Sequence, residues 1–298
     1  MPIKVAPSKT VAADQTSTPT KLSPVTLALG GGAALGWAHI GVAQVFAECG
    51  LPIAAVVGTS IGAVAAACIA DGKLDVLEEI ARSATGLTVL RYLDVSVSGG
   101  GMLGGRIIER ELRKHFGQRL MEHLALPCAT VAADLVTGRE VIIRTGSICR
   151  AVRASLAIPG VFTPVVQEGM VLADGGLINP VPVSVARTLS NAPVVAVQLF
   201  GNYADRAKAA GMEKTAAGKR PNMLAISRVS VNLLLSAMTE AKLASHPPDV
   251  LITPEIGHID VGDFTKADVL IAAGRKAAEL AWPQVAALIS PHPDKPKK

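Results

Sequence analysis

The sequence predicts a three-layer α/β/α sandwich, with helices covering both faces of a mostly parallel central sheet. Continuous apolar runs such as Val25–Leu29 and Ile53–Val57 are typical of strands buried on both faces. Helical segments alternate with these runs, as expected for βαβ units. Half of the 298 residues are hydrophobic and only 18% are charged, which excludes a largely disordered chain.

Each element is assigned from an apolar run, helical spacing or a flanking turn residue. The predicted strands are 25–29, 53–57, 128–133, 140–144, 170–173, 194–199 and 250–253. The predicted helices are 36–49, 61–70, 75–82, 106–116, 147–157, 182–189, 225–244 and 266–289.

The composition predicts one domain, which we place at residues 23–290. Residues 1–22 are rich in Pro, Thr, Ser and Lys and are expected to form a flexible leader, and the Pro- and Lys-rich residues 291–298 a flexible tail. Residues 201–221 are polar and net basic, which is typical of a surface insertion or flexible loop. The glycine-dense segment Ser98–Gly105 is the best candidate for a mobile flap near a site.

Charge and cysteine content exclude several classes of protein. A net charge of +5 and 3% aromatic residues are too dilute a signal for nucleic-acid binding. The four cysteines are spread singly, which fits neither a disulfide framework nor a zinc site. Most of them lie in apolar runs, and we expect these to be small core residues in a reducing compartment.

Two stretches without acidic or basic residues, 22–47 and 49–70, are long enough for transmembrane helices. Their glycines, above all the triplet at 30–32, favour a buried strand, a turn and a buried helix instead. The N-terminus also lacks the apolar core of a secretory signal, so we expect a cytoplasmic protein.

Ser60 is the first candidate for chemistry. It lies in Gly58-Thr59-Ser60-Ile61-Gly62, a Gly-x-Ser-x-Gly sequence where an apolar strand meets an apolar helix. A sharp strand-to-helix turn exposes the hydroxyl, and Gly58 and Gly62 let the backbone fold tightly around it. The start of the helix favours the negative charge that develops during acyl transfer.

Gly30, Gly31 and Gly32 form a second turn between a strand and a helix. Successive glycines can direct their N–H groups into one concavity, which in a hydrolase would be an oxyanion hole. The alternative is a nucleotide-binding turn, but Leu35 stands where Gly-x-Gly-x-x-Gly requires glycine.

Asp174 ends a short apolar strand and precedes Gly175-Gly176, so its carboxylate could orient or deprotonate a serine. A Ser–Asp–His order would also permit His246, His258 or His292, each in a polar turn without a surrounding motif. His39 lies inside the first apolar helix, where a packing role is expected.

Four blocks together resemble the patatin-like phospholipase family, more its bacterial branch and the catalytic region of neuropathy target esterase than plant patatins. They are Leu27–Gly41, Gly58–Ala63, Arg153–Gly160 and Asp174–Pro180. The resemblance spans about 25–199 and implies a three-layer patatin-like fold.

Carried over by position, the resemblance implies a Ser–Asp dyad with Ser60 as nucleophile and Asp174 as base. It makes Gly30, Gly31 and Gly32 the oxyanion loop and His39 a non-catalytic residue. The family usually has Arg or Lys where this chain has Leu35, so we expect Leu35→Arg to raise activity or favour anionic head groups.

These expectations define a serine lipid acyl hydrolase, such as a phospholipase, lysophospholipase or esterase, that needs no metal or organic cofactor. Its partners would be a lipid or another acyl ester and an anionic membrane, touched peripherally at the inner face through basic residues of 1–22 and 201–221. The alternatives are a catalytically weak or silent lipid-binding or regulatory protein of this fold and a nucleotide-binding protein. No oligomeric state is predicted.

Overall fold

The computed structural model describes residues 22–84, 105–201, 203–216, 218, 220 and 223–290. The strands within these residues are β1 Val25–Leu29, β2 Ile53–Thr59, β3 Cys128–Asp134, β4 Arg139–Ile143, β5 Val165–Gln167, β6 Met170–Asp174, β7 Val194–Val197 and β8 Val250–Ile252. The helices are α1 Ala38–Glu48, α2 Ile61–Ala70, α3 Leu74–Ser83, α4 Arg106–Phe116, α5 Ile148–Ser155, α6 Val183–Leu189, α7 Tyr203–Ala209, α8 Met212–Ala216, α9 Met223–Ser245 and α10 Ala267–Ile289.

All eight strands form one sheet in the order β5-β6-β3-β2-β1-β7-β8, with β4 paired to β3. β3, β2, β1, β7 and β8 are parallel to one another. β4, β6 and β5 extend this unit through antiparallel pairs. The sheet is therefore mixed, with five parallel strands and an extension that joins β3 through antiparallel pairs.

Alternation of side chains along the buried strands divides the core between the two faces of the sheet. On β1, Leu27 and Leu29 belong to a large apolar cluster with α1, α2, α3 and α10. Ala28 points to the other face, into a smaller cluster of valines and alanines that includes α6. Helices thus cover both faces, and the predicted three-layer sandwich is confirmed.

The connections differ from the prediction in two places. The short strand β5 was not predicted, because three half-exposed residues give no apolar run. Residues 203–216 form α7 and α8 instead of an irregular loop, although few of their side chains are buried. The predicted leader (except Leu22), the tail and the Ser98–Gly104 part of the glycine-dense segment lie outside the described residues.

The long apolar stretches at the start of the chain are strand–turn–helix units, as predicted. No helix in the described ranges is long and apolar enough to cross a bilayer. All four cysteines are free thiols, and Cys68, Cys128 and Cys149 are buried.

Candidate active site

Ser60 occupies the turn between β2 and α2 in a strained backbone conformation. Its φ of 56° and ψ of −126° are unusual for a residue with a side chain, and it is 4% exposed. A Cβ atom at Gly58 would lie 2.0 Å from the carbonyl oxygen of Gly62, and one at Gly62 would lie 2.2 Å from that of Leu29. The two glycines are therefore required by the tight turn that presents the serine.

Strand β3 brings Asp174 to Ser60. Along one edge, β3 pairs first with β2, where Thr59 lies opposite Val131, and then with β6, where Asp174 lies opposite Ala132. β4 occupies the other edge. Because β2 is parallel and β6 antiparallel to β3, the carboxyl ends of β2 and β6 meet head to head, which places the two side chains together.

The Ser60 hydroxyl donates a 2.5 Å hydrogen bond to Oδ2 of Asp174. Oδ1 of the same carboxylate accepts a 2.7 Å hydrogen bond from the Gly176 N–H. Burial raises the pKa of Asp174 to about 6, against the lowering effect of these two hydrogen bonds. The pair therefore has the geometry of an activated nucleophile and its base.

Ser155, at the end of α5, holds the backbone of Ser60. Its hydroxyl accepts a 2.8 Å hydrogen bond from the Ser60 N–H and donates a 2.6 Å hydrogen bond to the Val131 carbonyl oxygen. It thus ties the serine turn to β3. Sequence reasoning assigned Ser155 no role, although it lies in the third of the four blocks quoted above.

The glycine turn adjoins Ser60, since a Cβ atom at Gly31 would lie 3.2 Å from the Ser60 Cβ. However, the Gly30 N–H donates to the Val197 carbonyl and the Gly31 N–H donates to the Pro180 carbonyl, both at 2.9 Å. Among the described residues, the N–H groups of Gly32 and Ala33 have no such backbone partner. Of the three glycines predicted as oxyanion donors, only Gly32 has its N–H free of these bonds.

His39 supports the same turn from α1. Its Nε2 donates a 2.8 Å hydrogen bond to the Gly30 carbonyl oxygen. Complete burial lowers the pKa of His39 to about 4, so the ring is neutral at physiological pH. His39 therefore fixes the loop and makes no contact with the Ser60 hydroxyl.

The other histidines do not join the pair. His246 and His258 are exposed, and His292 lies outside the described residues. Within the described ranges, the Ser60 hydroxyl hydrogen-bonds only to Asp174. The Asp174 carboxylate accepts only from Ser60 and from the Gly176 N–H.

Leu35 does not face the site, which corrects the expectation for Leu35→Arg. Its side chain is fully buried in the large apolar cluster between the sheet and the helices. An arginine at this position would bury a charge among apolar groups. Leu35→Arg should therefore lower the stability of the fold and give no gain in activity.

An apolar cavity of about 210 Å³ begins at Ser60. It lies between α2, α3 and α4, and aliphatic and aromatic side chains form most of its described walls. Such a cavity beside the Ser60 hydroxyl is suited to a ligand with a long hydrophobic group.

Comparisons with known proteins found a matching family model and similar sequences. A family model described as patatin-like phospholipase matches residues 27–187. An uncharacterized NTE family protein of Mycobacterium tuberculosis is 41% identical over 192 residues, which cover 64% of this chain and 53% of the relative. A second M. tuberculosis protein with this description is 32% identical over 267 residues, 86% of this chain and 46% of the relative.

The mouse patatin-like phospholipase domain-containing protein 7 is 33% identical over 181 residues, 59% of this chain and 13% of that protein. This chain thus spans about half the length of the mycobacterial relatives it matches. Among solved structures, VipD from Legionella pneumophila aligns with a TM-score of 0.48 and 13% identity, over 89% of this chain and 67% of that one.

Proposed function

Because this chain belongs to the patatin-like phospholipase family, we propose that it is a serine lipid acyl hydrolase that cleaves fatty-acyl esters. The substrate class includes phospholipids, lysophospholipids and simpler esters. The observation that carries the proposal is the 2.5 Å hydrogen bond between the buried Ser60 hydroxyl and Asp174. The apolar cavity beside this pair supports a fatty-acyl substrate.

In the first step, the Ser60 oxygen attacks the ester carbonyl carbon while its proton passes to Oδ2 of Asp174. The tetrahedral intermediate collapses to an acyl-serine, and the Asp174 proton goes to the departing alcohol. Water, deprotonated by Asp174, then attacks the acyl-serine, the fatty acid is released, and the proton on Asp174 passes to the departing Ser60 oxygen. This cycle uses no metal and no organic cofactor.

The oxyanion is stabilised by main-chain N–H groups of the glycine turn. We assign this role to Gly32 and to Ala33, which the sequence did not suggest, because the Gly30 and Gly31 N–H groups donate to carbonyl oxygens. Ala33, with φ of 48°, lines the cavity next to Ser60. One such donor typically lowers the barrier by about 3–4 kcal/mol.

Peripheral contact with an anionic membrane is the second part of the proposal. Helix α9 leaves large apolar side chains exposed on its N-terminal half, including Met223, Leu233 and Leu234. The exposed cations Lys214 and Arg220 precede this half in the chain. Apolar groups beside cations suit a bilayer surface with anionic lipids.

The decisive test of the catalytic proposal is labelling with a fluorophosphonate, followed by mass spectrometry of the peptides. We expect one adduct, on Ser60, and turnover of a short-chain ester that Ser60→Ala abolishes. Ser230→Ala, an exposed serine on α9, is the matched control and should keep full activity.

A folded protein that binds lipid but neither reacts at Ser60 nor hydrolyses the ester would support the alternative, a catalytically silent member of the family. Stabilisation by nucleotide phosphates without labelling would support nucleotide binding instead.

A further inference from the structure

Helix α2 runs along the cavity from the nucleophile outward. Ile61, Val64 and Cys68 line the cavity at positions i, i+3 and i+7 and therefore share one helix face. Because α2 begins immediately after Ser60, each of these residues marks a greater distance from the reacting oxygen.

The opposite walls show the same helical spacing. On α3, Val76, Leu77 and Ile80 face the cavity at i, i+1 and i+4. On α4, Leu112 and Phe116 face it at i and i+4. Three helices thus contribute apolar stripes to the wall of a single channel that Ser60 also lines.

Charged side chains stand at the far end, although the surface they present to the cavity is almost entirely apolar. Lys73 follows α2, and its Nζ donates a 2.5 Å hydrogen bond to the His115 carbonyl oxygen and lies 2.8 Å from Asp71. The same ammonium lies 5.3 Å from the Phe116 ring centroid. Glu111 and the His115 side chain line this end as well. The apolar side chains of α2 that line the cavity end at Cys68.

We propose that this channel binds the acyl chain and measures its length, with Val64 and Cys68 as specificity-determining residues. The inference rests on the proposed function, since it requires an acyl group on Ser60. The ten residues of α2 rise about 15 Å. An extended chain advances about 1.2 Å per bond, as the polypeptide backbone does, so the apolar part holds an acyl chain of about twelve carbons.

The thiol of Cys68 serves here as a small apolar surface. Burial raises the pKa of Cys68 to about 12, so it is not a nucleophile at physiological pH. A larger side chain at this position would close the outer part of the channel and leave the part near Ser60 open.

The test is the chain-length dependence of kcat/KM for p-nitrophenyl esters from four to sixteen carbons. In the unchanged protein, kcat/KM should rise by up to about fourfold per added methylene and level off near twelve carbons. Cys68→Phe should end the rise near ten carbons, and Val64→Phe near five or six, because these residues lie about 12 and 6 Å along the helix from Ser60.

Ile69→Phe is the matched control, since Ile69 is a half-buried residue of the same helix that does not line the cavity. It should leave the profile unchanged. If both phenylalanine variants fold poorly, Cys68→Met and Val64→Leu should shift the profile in the same order by smaller amounts.

Alkyl fluorophosphonates of increasing length provide a second readout, the rate of Ser60 modification. Equal profiles in all variants, or equal shifts at Val64 and Cys68, would overturn the length-measuring channel. Absence of Ser60 labelling and of turnover with the four-carbon ester would overturn the proposed function itself, so the two failures are distinguishable.

Discussion

Asp174 is a buried carboxylate, and the proposed mechanism uses it as a base. The side chain is 6% exposed, and both oxygens accept hydrogen bonds. An ordinary aspartate, with a pKa near 3.9, is a weak base for an alcohol, and efficiency improves as the pKa approaches the working pH. The pKa of about 6 brings this carboxylate closer to that range.

The pKa of Asp174 predicts the pH dependence of activity. The base must be deprotonated, so kcat/KM for a neutral ester should fall as the pH drops through about 6 and level off above about 7. A pH–rate profile with a short-chain ester measures this limb. An acid limb near 4 would mean that burial does not perturb the carboxyl group as the structure indicates.

Asp174→Asn should abolish hydrolysis and stabilise the fold. A pKa raised from 3.8 to about 6 means that the folded state binds the proton more tightly, so Asp174 lowers stability progressively as pH rises from about 4 to 6. Above pH 6 the cost is constant, at about 3 kcal/mol. Urea unfolding at pH 8 and pH 4 should show the variant's advantage at pH 8 and little or none at pH 4.

The backbone at Ser60 predicts a difference between two inactive variants. Ser60→Ala and Ser60→Gly both lose the hydroxyl, but only alanine keeps a Cβ atom at φ 56°. Glycine adopts this conformation without strain, so Ser60→Gly should be more stable than Ser60→Ala by about 1–2 kcal/mol. Equal unfolding midpoints in urea would indicate that the turn relaxes without the serine hydroxyl.

At the scale of elements, strand β3 organises the site. It pairs with β2 and β6 along one edge and accepts the Ser155 hydrogen bond at the Val131 carbonyl. A Cβ atom at Gly175 would lie 2.2 Å from that same carbonyl oxygen. The close approach explains why glycine follows Asp174.

Ser155→Ala tests this support. Loss of its hydroxyl leaves the Ser60 N–H without its partner and loosens the turn, so kcat should fall by about 10–100-fold while KM changes little. Ser155→Thr keeps the hydroxyl and should recover most of the rate. A positioning role would be refuted if alanine and threonine lowered kcat equally while the unfolding midpoint stayed unchanged.

Elements with strong local signals could be predicted from the sequence. The bounds of β1, α2 and α4 agree with the prediction because their apolar runs, helical spacing and flanking glycines are unambiguous. The contact between Ser60 and Asp174 depends on two strands meeting along β3, which no local pattern specifies. Likewise, the Gly30 and Gly31 N–H groups donate hydrogen bonds to carbonyl oxygens of β7 and of residue 180. These partners are remote in sequence, so no local pattern specifies the bonds.

At the scale of the whole molecule, the N-terminal half of α9 forms an exposed apolar surface. Ser236 of α9 hydrogen-bonds to the Phe200 carbonyl just beyond β7, and Arg228 pairs with Asp260 beyond β8. The N-terminal half of α9 therefore lies at the edge of the sheet where the parallel strands end, which is also the edge of Ser60. Its exposed apolar side chains lie on the same side of the molecule as the candidate site.

The exposed apolar surface of α9 should bind vesicles. Leu233→Ser with Leu234→Ser should weaken co-sedimentation with anionic vesicles, because both side chains are largely exposed and available to enter the interface. Leu280→Ser with Val269→Ser is the matched control on α10, where the side chains are 71% and 49% exposed.

Neutralising Lys214, Lys219 and Arg220 should weaken binding further, since each cation near an anionic surface contributes about 1 kcal/mol. High salt should weaken it too. Equal loss in the α9 and α10 variants would contradict a specific surface, and equal binding to zwitterionic vesicles would contradict the role of charge.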